Sequence, residues 1–95
     1  MMITVITATR DRPAQLAMCI EQVRRQSVAG FVAQHLVVAD GPDPAAQRLC
    51  AHYRELSPPD TRGPGYLELP EPVGRWGAGC KDLGIARASG DYVCF

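Results

Sequence analysis

Net charge is the first thing this sequence lacks, because ten lysines and arginines face ten aspartates and glutamates. A balanced chain has no global field to gather nucleic acid or an anionic membrane, so neither is expected as a partner. Lysine is almost missing. Nine of the ten basic residues are arginine and only Lys81 is lysine, so any anion site must be built locally. No apolar run is long enough to span a bilayer. Met1-Met2-Ile3 lacks the charged start and apolar core of a signal peptide. The four cysteines, Cys19, Cys50, Cys80 and Cys94, show no Cys-x-x-Cys spacing. They fall about one per predicted element, which points to buried free thiols in a cytoplasmic protein rather than to zinc or a redox couple. The chain has no Asp-x-Asp either. His35 precedes one predicted strand, His52 lies in a predicted helix, and no Ser-His-Asp or Cys-His spacing stands out. No catalytic residue and no metal ligand is assigned.

What is present is ordinary for a globular fold. Its 95 residues suffice for one small domain, and 46% hydrophobic against 21% charged residues argues against disorder. The stretch Ile3 to Pro13 organises the rest. Ile3 to Ala8 is a β-branched run of strand length. Its near-continuous apolar character fits a parallel strand covered on both faces. Thr9-Arg10-Asp11-Arg12 then makes a polar turn. Pro13 fits a first helical position, with Asp11 close enough to cap the helix.

The same grammar repeats along the chain. A helix is predicted from Pro13 to Gln26, with Leu16, Ile20 and Val23 at helical spacing. After Gly30, Leu36–Ala39 reads as a second strand. It ends in Asp40-Gly41-Pro42-Asp43-Pro44, where Asp43 is a good N-cap for a helix running to Leu56. That helix presents Ala46, Leu49, Cys50 and Tyr53 on one face. Ser57–Gly65 reads as a surface loop, Tyr66–Leu69 as a third strand, and Pro70–Gly79 as a glycine-rich loop. A third helix is predicted over Ala78–Ala88, with Leu83, Ile85 and Ala86 as core candidates and Ser89-Gly90 as its cap. Tyr92–Phe95 is a fourth strand. The order βαβαβ, loop, αβ predicts an α/β fold with an open, mostly parallel sheet and helices on both faces.

In such sheets ligands bind beyond the carboxyl ends of the strands, and several residues there carry chemistry. Asp40 either accepts hydrogen bonds from a base or ribose, or caps its own Asp40–Pro44 turn. Arg10 and Arg12 either hold phosphates or are solvated turn residues. Gly74 to Gly84 is a glycine-rich lead into a helix, of the kind that holds phosphate on backbone N–H groups, but it matches neither G-x-G-x-x-G nor a P-loop. Lys81 in the first turn of that helix opposes the helix dipole, which hints at a nearby anion. Trp76 either stacks on a ligand or packs on the sheet.

Together these pieces resemble the family 2 glycosyltransferases, whose fold is the Rossmann-like GT-A fold. The run Ala8-Thr9-Arg10-Asp11-Arg12 looks like the family's Pro-Thr-Tyr-Asn-Arg turn. Val38-Ala39-Asp40-Gly41-Pro42 is similar to Val-Asp-Asp-Gly-Ser. Gly79-Cys80-Lys81-Asp82-Leu83-Gly84 followed by Ala88-Ser89-Gly90-Asp91-Tyr92-Val93-Cys94-Phe95 is similar to Ala-Arg-Asn-x-Gly and Ala-x-Gly-Asp-Tyr-Val-x-Phe. The departures are Ala8 for Pro, Arg10 for an aromatic residue, Ala39 for an acid, and Lys81-Asp82 for Arg-Asn. The resemblance implies a nucleotide-diphosphate sugar as ligand. Ala8, Thr9 and Arg10 would lie against the base, Asp40 would accept from the base edge, and Lys81 would lie near the nucleotide or its diphosphate.

It also implies that residues 1–95 are the N-terminal, nucleotide-binding portion of a truncated GT-A domain. The family's Asp-x-Asp follows the strand matched by Tyr92–Phe95. Mg or Mn, the catalytic base and the acceptor site would then belong to a longer protein, and this chain would be inactive. An apolar strand edge at Tyr92–Phe95 is expected to drive self-association. Two other readings compete: a non-catalytic flavodoxin-like domain that binds a phosphorylated ligand, and an interaction module that adds its fourth strand to a partner's sheet.

Overall fold

The computed structural model describes residues 3–28, 32–56, 63–74, 78–87 and 92–94. The elements are β1 (Ile3–Thr9), α1 (Pro13–Val28), β2 (Val32–Ala39), α2 (Pro44–Leu56), β3 (Gly65–Glu68), α3 (Ala78–Arg87) and β4 (Tyr92–Cys94). Gly30, most of the Ser57–Gly65 loop, Trp76, the Ser89-Gly90 cap and Phe95 lie outside the described residues.

The four strands form one sheet in the order β3-β2-β1-β4, and every pairing is parallel. This is the open α/β architecture that the alternation of elements predicts. β1 pairs with β2 from Ile3↔Val32 to Thr9↔Ala39, with a register shift after Ile3. On its other side, among the described residues, Ile3–Val5 pairs with Tyr92–Cys94. The chain thus builds outward from β1 through β2 to β3, then crosses back to place β4 on the opposite side. Strand order reverses beside β1, which is where such sheets open a crevice.

Side-chain alternation along β2 divides the core. Val37 joins Leu16 and Ile20 of α1 and Ala46 and Cys50 of α2 on one face. Leu36 and Val38 join Ile6 of β1 and Cys80 of α3 on the other. Helices therefore cover both faces. Every residue from Leu36 to Ala39 is buried, which explains why the run is apolar without alternation. Burial of each large aliphatic side chain contributes about 1.5–3 kcal/mol. α1 buries Leu16, Ile20 and Val23, as their spacing predicts, and leaves Met18 exposed.

Three expectations are corrected. β2 begins at Val32, not Leu36. Parallel pairing with β1 carries the strand through two polar residues whose side chains find partners there. Thr4 Oγ1 donates to Gln34 Oε1 at 3.1 Å, and Thr7 Oγ1 lies 2.8 Å from His35 Nε2. The carbonyl accepting the first α1 bond belongs to Arg12, from Leu16 N–H at 2.9 Å, so Asp11 stands one residue outside the cap position. In α3 the core-facing stripe is buried Cys80 and Gly84 with half-buried Leu83, whereas Ile85 is 50% exposed and Ala86 is exposed as well. At about 100° per residue, positions 85 and 86 point away from a face defined by 80, 83 and 84. An ideal Cβ on Gly84 would lie 2.6 Å from Ile6 Cγ2. The absence of a side chain there lets α3 settle against β1.

Candidate functional site

A cleft of about 590 Å³ opens at the carboxyl end of β1. Ala8, Thr9, Arg10 and Asp40 all line it, as does Arg12. Two turns some thirty residues apart, roughly the span of one βαβ unit, thus meet at one rim. Lys81 is half-buried on α3 and is not among the lining residues, so the structure does not bring it to this cleft.

Two carboxylates assemble the rim. Asp43 is the N-cap of α2: its Oδ1 accepts from Ala46 N–H at 3.1 Å and its carbonyl from Gln47 N–H at 3.0 Å. Its Oδ2 accepts from Asp11 N–H at 3.1 Å. Asp11 has φ +49°, a left-handed conformation that Asp tolerates better than most residues. Asp43 N–H in turn donates to the Tyr66 hydroxyl of β3 at 3.2 Å.

Asp40 does something neither sequence reading contained. Its Oδ1 accepts from Val73 N–H at 2.7 Å and its Oδ2 from Gly74 N–H at 2.8 Å. It grips the loop after β3 rather than capping its own turn. Arg10 Nη1 stands 3.9 Å from Oδ2, the Arg10 side chain being mostly exposed. The two backbone hydrogen bonds are the main cause that holds the Asp40 carboxyl below its ordinary value, with Arg10 adding a smaller pull and burial opposing both. Gly41 lets the loop close on this turn. It has φ +94°, and an ideal Cβ there would lie 2.9 Å from Pro72 Cγ.

The cleft has further walls: Gly74 opens the glycine-rich stretch noted in the sequence, whereas Thr7 and Cys19 were not expected at a site. Thr7, Cys19 and Gly74 line it. Thr7 Oγ1 bridges His35 Nε2 at 2.8 Å and Cys19 Sγ at 3.5 Å. His35 is 5% exposed, and burial lowers its pKa to about 4, so it is neutral at pH 7. Period-two alternation from Ile6 was the available signal for Thr7. Nothing local marked Cys19 or His35 as its partners.

Among the described residues, no group of three His, Cys, Asp or Glu side chains is placed to hold a metal. Cys50 and Cys80 are free and buried, and burial raises both thiol pKa values, that of Cys50 to about 11. They are inert thiols at neutral pH. Cys19 is free and half-buried. The side chain of Cys94 lies outside the described residues. No described helix is long and apolar enough to cross a membrane. No protein-family model matches the chain, and no curated protein or solved structure matches it.

Proposed function

We propose that the cleft at the end of β1 binds the nucleoside diphosphate part of a nucleotide-sugar, and that the chain is the donor-binding portion of a glycosyltransferase. One observation carries the reading. Ala8, Thr9, Arg10 and Asp40, chosen for resemblance to one family's nucleotide contacts, line a single cleft, at the sheet edge where ligands of open α/β folds sit. Arg10 and Arg12 supply charge-assisted donors for a diphosphate. Asp40 supplies an acceptor for the N–H edge of a base. The reaction served is attack of an acceptor hydroxyl oxygen on the anomeric carbon. The carbon–oxygen bond to the diphosphate breaks, and the hydroxyl proton passes to a base. Mg or Mn neutralises the leaving diphosphate in transfers of this kind. Among the described residues no group of three His, Cys, Asp or Glu side chains is placed to hold such an ion, and in the family it is held by an Asp-x-Asp that these residues do not contain. No step of this chain is therefore routed through a metal.

Titration calorimetry with UDP, GDP, CDP and ADP tests the reading. Saturable heat with at least one of them, lost in the Arg10→Gln/Arg12→Gln double variant, is the expected result. Flat traces with all four overturn it.

A second reading is favoured by the grip of Asp40 on Val73 and Gly74. If that carboxylate is committed to the loop, the arginines alone define a site for a phosphorylated ligand, and the chain is a binding or regulatory domain. Pyrophosphate binding as tightly as any nucleoside diphosphate selects this alternative. Self-association through β4 belongs to either reading. β4 stands at one end of the strand order, with β1 as its neighbour, and edge strands invite pairing. A sedimentation profile that stays monomeric at high concentration counts against it.

A further inference from the structure

We propose that Asp40 is a latch, and that a ligand offering an N–H donor to its carboxylate releases the Val73–Gly74 segment from the rim of the cleft. This rests on the nucleotide reading and adds to it what the base must displace. Both oxygens of Asp40 are engaged, by consecutive backbone amides at 2.7 and 2.8 Å. Asp40 and Gly74 both line the cleft, so a molecule filling it meets the latch.

The segment is pinned by Leu69 on one side and by α3, whose Cys80 is fully buried, on the other. Leu69 N–H donates to the Ala39 carbonyl at 3.0 Å, and Leu69 packs against the core formed by Ile6, Leu36, Val38 and Cys80. Four residues later Val73 is half exposed. Gly74 has φ +74°, with nothing within 4 Å of an ideal Cβ. Movement of Val73 and Gly74 disturbs one apolar contact, that of half-exposed Val73 with Gly79 of α3, where an ideal Cβ would lie 3.9 Å from Val73 Cβ. It requires Pro72 to leave Gly41 and Asp40 to exchange partners.

That exchange selects the chemistry of the ligand. A phosphate brought to the carboxylate meets a like charge and cannot replace two N–H donors. An imide or amide N–H on a nucleobase edge replaces one of them, and a guanine edge, with N1–H and N2–H side by side, replaces both, while Arg10, 3.9 Å from Oδ2, still faces the carboxylate charge afterwards. Release of the segment thus reports the base and not the phosphates.

Residue-resolved amide hydrogen exchange on the whole chain tests this, with binding followed in parallel by calorimetry. The probes are the tightest binder among UDP, GDP, CDP and ADP, and inorganic pyrophosphate. The nucleotide is expected to speed exchange of the Val73 and Gly74 amides at least tenfold while Gln47 stays protected. Pyrophosphate is expected to leave both amides protected. A nucleotide that binds without freeing them, or pyrophosphate freeing them equally, overturns the latch and leaves the nucleotide reading standing. Absence of binding by all four nucleotides overturns both. Asp40→Asn provides a ligand-free arm, because its amide NH₂ faces an N–H it cannot accept. Tenfold faster exchange at Val73 and Gly74, with Gln47 protection confirming the fold, is expected, and unchanged exchange overturns the latch.

Discussion

The carboxylate of Asp43 accepts a hydrogen bond from the backbone N–H of Asp11 at 3.1 Å, across 32 residues of chain. The same side chain caps α2 through Ala46 N–H. One buried residue therefore fixes the turn after β1 against the turn after β2. Asp43→Ala is expected to destabilise the fold by about 2–3 kcal/mol. Roughly 1 kcal/mol comes from the lost cap and the rest from N–H groups left without acceptors. Asp43→Asn keeps one acceptor oxygen and should cost about half as much. Urea midpoints of the three proteins check the order.

Gly84 and Ile6 form a second pair whose fit can be measured. Alanine at 84 improves helix propensity by about 1 kcal/mol. Its Cβ would stand 2.6 Å from Ile6 Cγ2, and overpacking of that kind costs about 1–3 kcal/mol. The steric term wins, so Gly84→Ala is expected to destabilise by about 1 kcal/mol. Ile6→Ala alone leaves a cavity and costs about 2–5 kcal/mol. The double variant should be more stable than the sum of the singles requires. Strict additivity in denaturant unfolding would count against the contact.

Burial of His35 makes stability depend on pH. Its pKa falls from 6.5 to about 4 in the fold, so the unfolded chain binds more protons between those values. The associated stability is fully present above pH 6.5 and is lost as pH drops toward 4, amounting to about 3 kcal/mol. Asp40, held below its ordinary value of 3.8, adds a further loss under more acidic conditions. His35→Gln should lower stability at pH 7 and flatten its change between pH 7 and 4.5. An equally steep profile in that variant would place the titration elsewhere.

Arg10 and Arg12 line the cleft, and the Arg10 side chain is 57% exposed. Replacing either with Gln should leave the urea midpoint within about 0.5 kcal/mol of the parent. Each should weaken nucleoside diphosphate binding about tenfold, the value of one charge-assisted contact of roughly 1.4 kcal/mol. Unchanged affinity in both variants would remove the arginines from the site.

The alternation of elements, the core stripe of α1 and the Asp43 cap were all legible in the sequence. Each depends on residues close in the chain: apolar side chains three or four apart, or a carboxylate three residues ahead of an orphan N–H. The α3 stripe was legible only in part: Leu83 and buried Cys80 were expected, but Gly84, whose missing side chain makes room for Ile6, carries no hydrophobic signal. The polar half of β2 was also hidden. Gln34 and His35 read as loop until Thr4 and Thr7 stand opposite them.

Asp40 marks the boundary between the two kinds of information. Residue type and position at a strand end placed an acceptor at the rim, and nothing local could say what it would accept from. Its partners lie 33 and 34 residues further on, in a segment brought back only once β3 has paired with β2. Local sequence determined the elements and their buried faces, because periodicity and capping act over one helical turn. Tertiary structure alone decided which rim residues meet, because that follows from strand order and from backbone groups that carry no side-chain signature.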